Sequence, residues 1–224
     1  MQILLEELYK TDVTLEKFHP RKIFLEELSY QLIGITQSGK TNIIKNYLLS
    51  LKKNSYLYID CADIRIDIET LNASLNSFCT TNRIDTLALD NYKEQINIPN
   101  VNQLIISSEL THKNEHLKTI YVYPLDYEEF LSYEHKYDST ALNHYFQLGG
   151  FVPMHKIGAD NRNLYIQNML TCKLEAMEFD ILVLCSKMMS QKISPYTIYE
   201  RLKQIQKISK DKLYKSFDAL LAKR

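Results

Sequence analysis

The run Gly34-Ile35-Thr36-Gln37-Ser38-Gly39-Lys40-Thr41 reads G-x-x-x-x-G-K-T, an order of residue types that suits the binding of a polyphosphate. Its two glycines free the backbone to fold into a tight cup whose N–H groups face phosphate oxygens. Lys40 brings a point charge to the outer phosphates, and the Thr41 hydroxyl is a ligand for magnesium. Asn42 leads into a helix whose positive end faces the same anion. The chain has only five glycines, so two at this spacing before Lys-Thr make a specific signal. The expected ligand is a nucleoside triphosphate, held by Gly34, Ile35, Thr36, Gln37, Ser38, Gly39, Lys40, Thr41 and Asn42.

A magnesium-nucleotide site of this kind takes a further oxygen ligand from the end of a second strand. Asp60 and Asp90 both close apolar runs. Asp90 is preferred, because the stretch after Lys40 then has room for one intervening strand and helix, and Asp60 reads as a turn cap. Hydrolytic sites place a glutamate after this aspartate to polarise the attacking water. Asn91 stands there instead, and its amide can orient water but cannot take a proton. Glu94 is the nearby substitute. The expected catalytic group is therefore Lys40, Asp90 and Asn91, with Thr41 and Asp90 on Mg2+. Ser107 and Ser108 end the next apolar run, where a γ-phosphate sensor would sit, although serine also caps strand ends in ordinary folds.

The elements that must position these residues follow from periodicity. Residues 30–33 read as a short buried strand, and Ile43, Ile44, Tyr47, Leu48 and Leu51 recur at helical spacing after the loop. Further apolar runs at 56–60, 86–90, 103–108 and 119–123 alternate with helical or looped crossovers. That pattern predicts an α/β fold with a parallel sheet covered on both faces. Residues 1–10 read as an amphipathic helix. Pro20 is expected to open a second helix carrying Phe24, Leu25 and Leu28.

Two later segments add to the loop and the Asp-ended strand: Tyr123-Pro124-Leu125-Asp126-Tyr127-Glu128-Glu129-Phe130-Leu131 and Gly149-Gly150-Phe151-Val152-Pro153. Taken in this order, residues 26–153 resemble the AAA+-related ATPases of bacteria and archaea. The likeness is to members with Y-P-L-S-F-x-E-F-L and G-G-F-P segments, near the STAND and archaeal ATPase groups. The resemblance implies ATP and Mg2+ as ligands, a helical lid after the last strand, and Gly150 and Pro153 near the adenine. Asp90-Asn91 departs from the family's Asp-Glu pair. The large additional C-terminal domain of many relatives is expected to be missing, and no finger arginine can be assigned, with Arg83 and Arg162 as bare candidates.

The net charge of zero hides an asymmetry. From residue 181 onward ten basic residues stand against three acidic ones, a net of +7, which leaves −7 on the rest. Three helical patterns run through this tail, the first from Phe179 with Ile181, Leu182, Leu184, Cys185, Met188 and Met189 at helical spacing. Ser194-Pro195 opens one with Ile198, Leu202 and Ile205 inward, and Ser209 opens another with Leu213, Phe217, Leu220 and Leu221 inward. The outline is that of a helix-turn-helix or winged-helix unit, as the resemblance also implies, and Lys210, Lys212 and Lys215 suit phosphates more than base edges. The expected division is a phosphate-loop NTPase core at 1–125, an all-helical lid at 126–178 and a basic winged-helix-like lobe at 179–224.

No apolar run is long enough to span a membrane, and Glu6 and Glu7 break the N-terminal apolar stretch of a secretory signal. Cys61, Cys79, Cys172 and Cys185 form no C-x-x-C pair and read as reduced packing residues of a cytoplasmic protein. The leading expectation is an ATP-binding switch with slow or weakened hydrolysis, coupled to the basic lobe. The alternative is a non-catalytic DNA-binding or protein adaptor with a structural nucleotide site. A metabolite kinase is disfavoured, because residues 126–138 carry Glu128, Glu129 and Glu134 but no arginine for a closing lid.

Overall fold

Five short apolar runs become strands, and their order in the sheet sets the position of everything else. The computed structural model describes residues 1–15 and 21–222. The strands are β1 (Tyr30–Ile33), β2 (Tyr56–Asp60), β3 (Thr86–Asp90), β4 (Gln103–Ser108) and β5 (Lys118–Tyr121). All pairings are parallel, in the order β2-β3-β4-β1-β5. β1, β3 and β4 are buried along their whole length, and β5 at the edge is partly exposed. Continuous apolar strands of this kind need cover on both faces.

The described residues also form ten helices: α1 (Gln2–Lys10), α2 (Lys40–Ser50), α3 (Ile68–Asn82), α4 (Tyr127–Glu134), α5 (Ala141–Leu148), α6 (Pro153–Lys156), α7 (Ala159–Lys173), α8 (Ala176–Lys187), α9 (Pro195–Ile205) and α10 (Lys210–Ala222). Side chains alternate between the faces of a strand. Leu57, Ile59, Leu87, Leu89, Leu104 and Ile106 meet Leu5 of α1 and Leu71, Leu75 and Phe78 of α3. Tyr30, Leu32, Ala88 and Ile105 meet Ile43, Ile44, Tyr47 and Leu48 of α2 on the other face. None of the described helices is long and apolar enough to cross a membrane.

The expected helix after Pro20 does not form at 21–29, and Pro20 itself lies outside the described residues. The polar groups of this segment are committed to distant partners. Arg21 and the Lys22 N–H bind Glu129, and the Glu26 and Leu28 carbonyls both accept from the Gln103 amide. Phe24 is consequently 78 % exposed. β5 stops at Tyr121, two residues short of the expected run.

The chain divides into two compact units, Met1–Lys156 and Ile157–Arg224, so the segment expected as a lid is shared between them. In the first unit, α4 starts with a capping box between Asp126 and Glu129. Phe130 is fully buried and packs against Tyr127, Tyr145 and His155. Gly150 lies against the chain entering α4, where the Leu125 N–H donates to the Gly150 carbonyl at 2.8 Å.

In the second unit, α8, α9 and α10 share one small core of Met177, Ile181, Ile198, Leu202 and Leu213. Ser194 caps α9 by accepting from the Thr197 N–H, and Pro195 occupies the first turn. Ile205 and Leu221, expected inward, are 78 % and 45 % exposed. Cys61 and Cys79 are buried as expected of packing residues, whereas Cys172 is exposed on α7.

A Cβ on Gly150 would lie 1.9 Å from the Leu125 carbonyl oxygen. Gly150→Ala is therefore expected to destabilise the first unit by about 1–3 kcal/mol, the usual cost of forcing atoms into filled space. Urea unfolding followed by tyrosine fluorescence reads this, and an unchanged midpoint would disprove the close approach.

Candidate functional site

The loop between β1 and α2 leaves the sheet where β1 is flanked by β4 and β5. Gly34 N–H donates to the Ser108 carbonyl at 3.2 Å, so β1 stays paired to the residue at which the loop departs. Ser38 N–H then closes a turn on the Ile35 carbonyl at 3.2 Å. Gln37 and Gly39 take positive φ, 64° and 100°. These left-handed residues curl the backbone into a cup. At Gly39 the conformation itself favours glycine. At Gly34 the reason is space, since a Cβ would sit 2.2 Å from the Val122 carbonyl oxygen.

Lys40 is 7 % exposed, and its Nζ donates to the Gly34 and Ile35 carbonyls at 2.6 and 2.9 Å, folding back across the mouth of the loop. Gly39 provides no side-chain cap to α2, so the first N–H groups of that helix receive none from it. Ser38 is buried, and its hydroxyl has no hydrogen-bond partner. Thr36 binds Glu109, and Asn42 is exposed on the first turn of α2.

Next to the loop stands Asp90, 1 % exposed at the end of β3. Tyr58, Asp90 and Ser107 have the parity of Ala88 and Ile105, so all three sit on the α2 face. Thr41 Oγ1 and Tyr58 Oη donate to Asp90 Oδ2 at 2.5 and 2.9 Å. Ser107 Oγ and the Asn91 N–H donate to Oδ1, the latter at 3.2 Å. Four donors saturate the carboxylate. Burial, then the negative charge and hydrogen bond of Asp90, pushes the Tyr58 phenol far up, so it remains a donor. Burial, with Asp60 and Asp90 nearby, likewise pushes the Cys61 thiol up to about 12 and keeps it inert.

The predicted residues are therefore partly gathered. Lys40, Thr41, Asp90, Asn91 and Ser107 come together, whereas Ser108 has the opposite parity and donates to the Leu110 carbonyl. Asn91 adopts φ 52°, and its amide donates to Asp60 Oδ1 at 2.9 Å. Glu94 binds His112 Nδ1 at 3.0 Å. Pro153 opens α6, whose Met154 is buried and whose His155 bridges Glu134 and the Gly149 carbonyl. Arg83 ends α3 in the left-handed region, and Arg162 donates to the Ile157 carbonyl within the second unit.

Magnesium prefers hard oxygen ligands and takes most of its shell from water and substrate phosphates. Thr41 Oγ1 and Asp90 Oδ2, side by side, fit that chemistry. Among the described residues no group of three or more His, Cys, Asp or Glu side chains could hold a metal ion, so a cage made wholly of such protein ligands is not what these residues build.

Spacing gave no sign of Arg21, and Glu129 stood in the sequence only as a glutamate of the 123–131 segment, with no role assigned; the two are 8 % and 9 % exposed. The guanidinium joins the loop to α4 through Ser38 and Glu129. Tyr58 was accessible in principle, being two residues before Asp60 on the strand beside Asp90.

Burial pushes the Glu129 carboxyl up, but Arg21 and the N–H groups of Lys22 and Asp126 outweigh it and hold the group below its ordinary value near 4.5. A folded-state value below the unfolded one stabilises fully above about pH 4.5 and is lost as pH falls through the depressed value. Glu129→Gln is therefore expected to lower the thermal midpoint at pH 7, with the gap to wild type closing on acidification. A gap that stays constant from pH 7 to pH 3 would contradict the ion pair. A scan of protein-family models finds no match to this sequence, and a search of curated proteins finds none either.

Proposed function

We propose that this chain is a phosphate-loop, Mg-ATP-binding protein of the AAA+-related type, working as a switch or a slow ATPase. The observation that carries this reading is the juxtaposition of a glycine-shaped loop, Lys40 folded over it, and the Thr41–Asp90–Ser107 cluster beside it. Backbone N–H groups from the loop and the start of α2 would hold the phosphates. Lys40 Nζ would exchange a carbonyl for a phosphate oxygen, a stronger charge-assisted bond. Thr41 would hold Mg2+ through its hydroxyl oxygen, and Asp90 would do so by giving up one of its four donors; the ion offsets charge on the outer phosphates when bound.

Slow chemistry follows from what surrounds the Asp90 cluster. In hydrolysis a water oxygen bonds to the γ-phosphorus as the bond to the bridging oxygen breaks, and the water must shed a proton. Asn91 can align that water but cannot take the proton. Its amide is already engaged by Asp60, and Glu94 is engaged by His112.

A second reading, an adaptor for DNA or protein through the basic lobe, is favoured by the surface of α10. Lys210, Lys212 and Lys215 are exposed there, and Lys210 Nζ lies 5.3 and 5.9 Å from the centres of the Tyr196 and Tyr214 rings. The packing of α8, α9 and α10 on one core is consistent with a helix-turn-helix or winged-helix unit.

ATP binding with and without Mg2+, followed by single-turnover hydrolysis at excess protein, separates these readings. The expected result is Mg-dependent binding that Lys40→Ala weakens about tenfold or more, with turnover slow in wild type and absent in the variant. Tight binding without turnover selects the adaptor, for which a salt-dependent shift of duplex DNA is the companion result. Wild-type protein that binds no ATP would end the nucleotide reading.

A further inference from the structure

The guanidinium of Arg21 is buried, and every nitrogen on it is engaged. Nη1 donates to the Ser38 carbonyl at 2.7 Å, Nη2 to the Tyr123 carbonyl at 2.7 Å, and Nε to Glu129 Oε1 at 2.9 Å. Glu129 in turn accepts from the Lys22 and Asp126 N–H groups at 2.9 and 3.2 Å. One rigid fork thus ties the loop, the chain leaving β5 and the first turn of α4 into a single object.

The Ser38 contact has a consequence for the next residue. In a planar trans peptide the C=O and the following N–H point to opposite sides. Holding the Ser38 carbonyl on Arg21 therefore turns the Gly39 N–H away from Arg21. Gly39 suits this arrangement twice over, with φ +100° and with its missing Cβ position only 3.0 Å from Arg21 Nη1. A lysine could not replace the arginine, because a single ammonium cannot reach three acceptors spread around a planar fork.

A buried ion pair is a poor device for stability alone, since apolar residues of similar size often serve as well. What apolar residues cannot do is grip a carbonyl. We infer that Arg21 and Glu129 are positioning residues for anion binding, fixing the Ser38–Gly39 peptide so that its N–H is presented to the phosphates. This rests on the proposed reading of the loop as a phosphate site.

Titration calorimetry with inorganic tripolyphosphate tests the inference, because this probe carries the phosphate chemistry without a nucleoside. Arg21→Lys and the double variant Arg21→Met/Glu129→Met are each expected to bind it about tenfold more weakly or worse, the loss of one good hydrogen bond. The double variant leaves no buried charge unpaired but takes partners from the Ser38 and Tyr123 carbonyls and from the Lys22 and Asp126 N–H groups, so its thermal midpoint is expected to fall while the protein stays folded. A loss of affinity measured well below the midpoint, on folded protein, is the result that a merely structural pair would not give.

Wild-type affinity in the double variant would overturn the inference while leaving the phosphate reading intact. If the double variant does not fold, Arg21→Lys decides: weakened binding supports the positioning role and unchanged binding overturns it. Wild-type protein that binds neither tripolyphosphate nor ATP overturns the phosphate reading and this inference together.

Discussion

The loop after β1 runs against the chain leaving β5 with no room for a side chain at position 34, where a Cβ would lie 2.2 Å from the Val122 carbonyl and 2.9 Å from the Ser38 hydroxyl. Backbones that approach this closely must have their polar groups paired. They are: Val122 N–H donates to the Ile33 carbonyl at 2.6 Å, and Gly34 N–H to the Ser108 carbonyl at 3.2 Å. The link that receives this contact is fixed a second time at Leu125, whose N–H donates to the Gly150 carbonyl across a gap that excludes a Cβ. Two glycines far apart in sequence thus bracket residues 122–125, and Arg21 locks the segment from the side through the Tyr123 carbonyl.

Strand parity does the remaining positioning. Asp90 lies on an inner strand between β2 and β4, so Tyr58 and Ser107 reach it from both neighbours. Asp60 is its register partner on the edge strand β2, with only one neighbouring strand to supply donors. This explains why two aspartates that look alike in sequence differ in place. Asp90 is 1 % exposed and saturated, and Asp60 remains partly open and takes the Asn91 amide and the Ala62 N–H.

What could be read from the sequence was whatever is local. The strands at 30–33, 56–60, 86–90 and 103–108 and the helices opened by Ser194-Pro195 and Ser209 follow from short-range periodicity and capping, and the structure has them. The preference for Asp90 over Asp60 needed only the count of elements after Lys40, and Asp90 is the one beside Thr41. What failed depends on partners distant in sequence. The expected helix at 21–29 is lost to Glu129 and Gln103, 108 residues from Arg21 and 75 from Leu28. Arg21 was invisible for the same reason, because nothing in its neighbours states that a loop carbonyl and a helix carboxylate converge on it. Ile205 fits the helical period but falls in the last turn of α9, where the small core of three helices no longer covers it.

Asn91 can be understood from the backbone as well as from the chemistry. The chain leaving β3 passes through the left-handed region at φ 52°, where asparagine is among the few non-glycine residues tolerated well. A glutamate there would bear the strain of that conformation and would also place a second charge beside Asp60. The amide instead bridges to Asp60, while its own N–H serves Asp90 and the Ser107 hydroxyl at 3.2 and 3.0 Å. The residue that costs the proposed site its general base is thus also the one that turns the chain and ties together the ends of β2, β3 and β4. Restoring a base by Asn91→Glu would have to break those ties, so a gain in proton transfer would be set against a loss of geometry at Asp90. On the proposed reading, a site built this way is better suited to holding a nucleotide than to cleaving it.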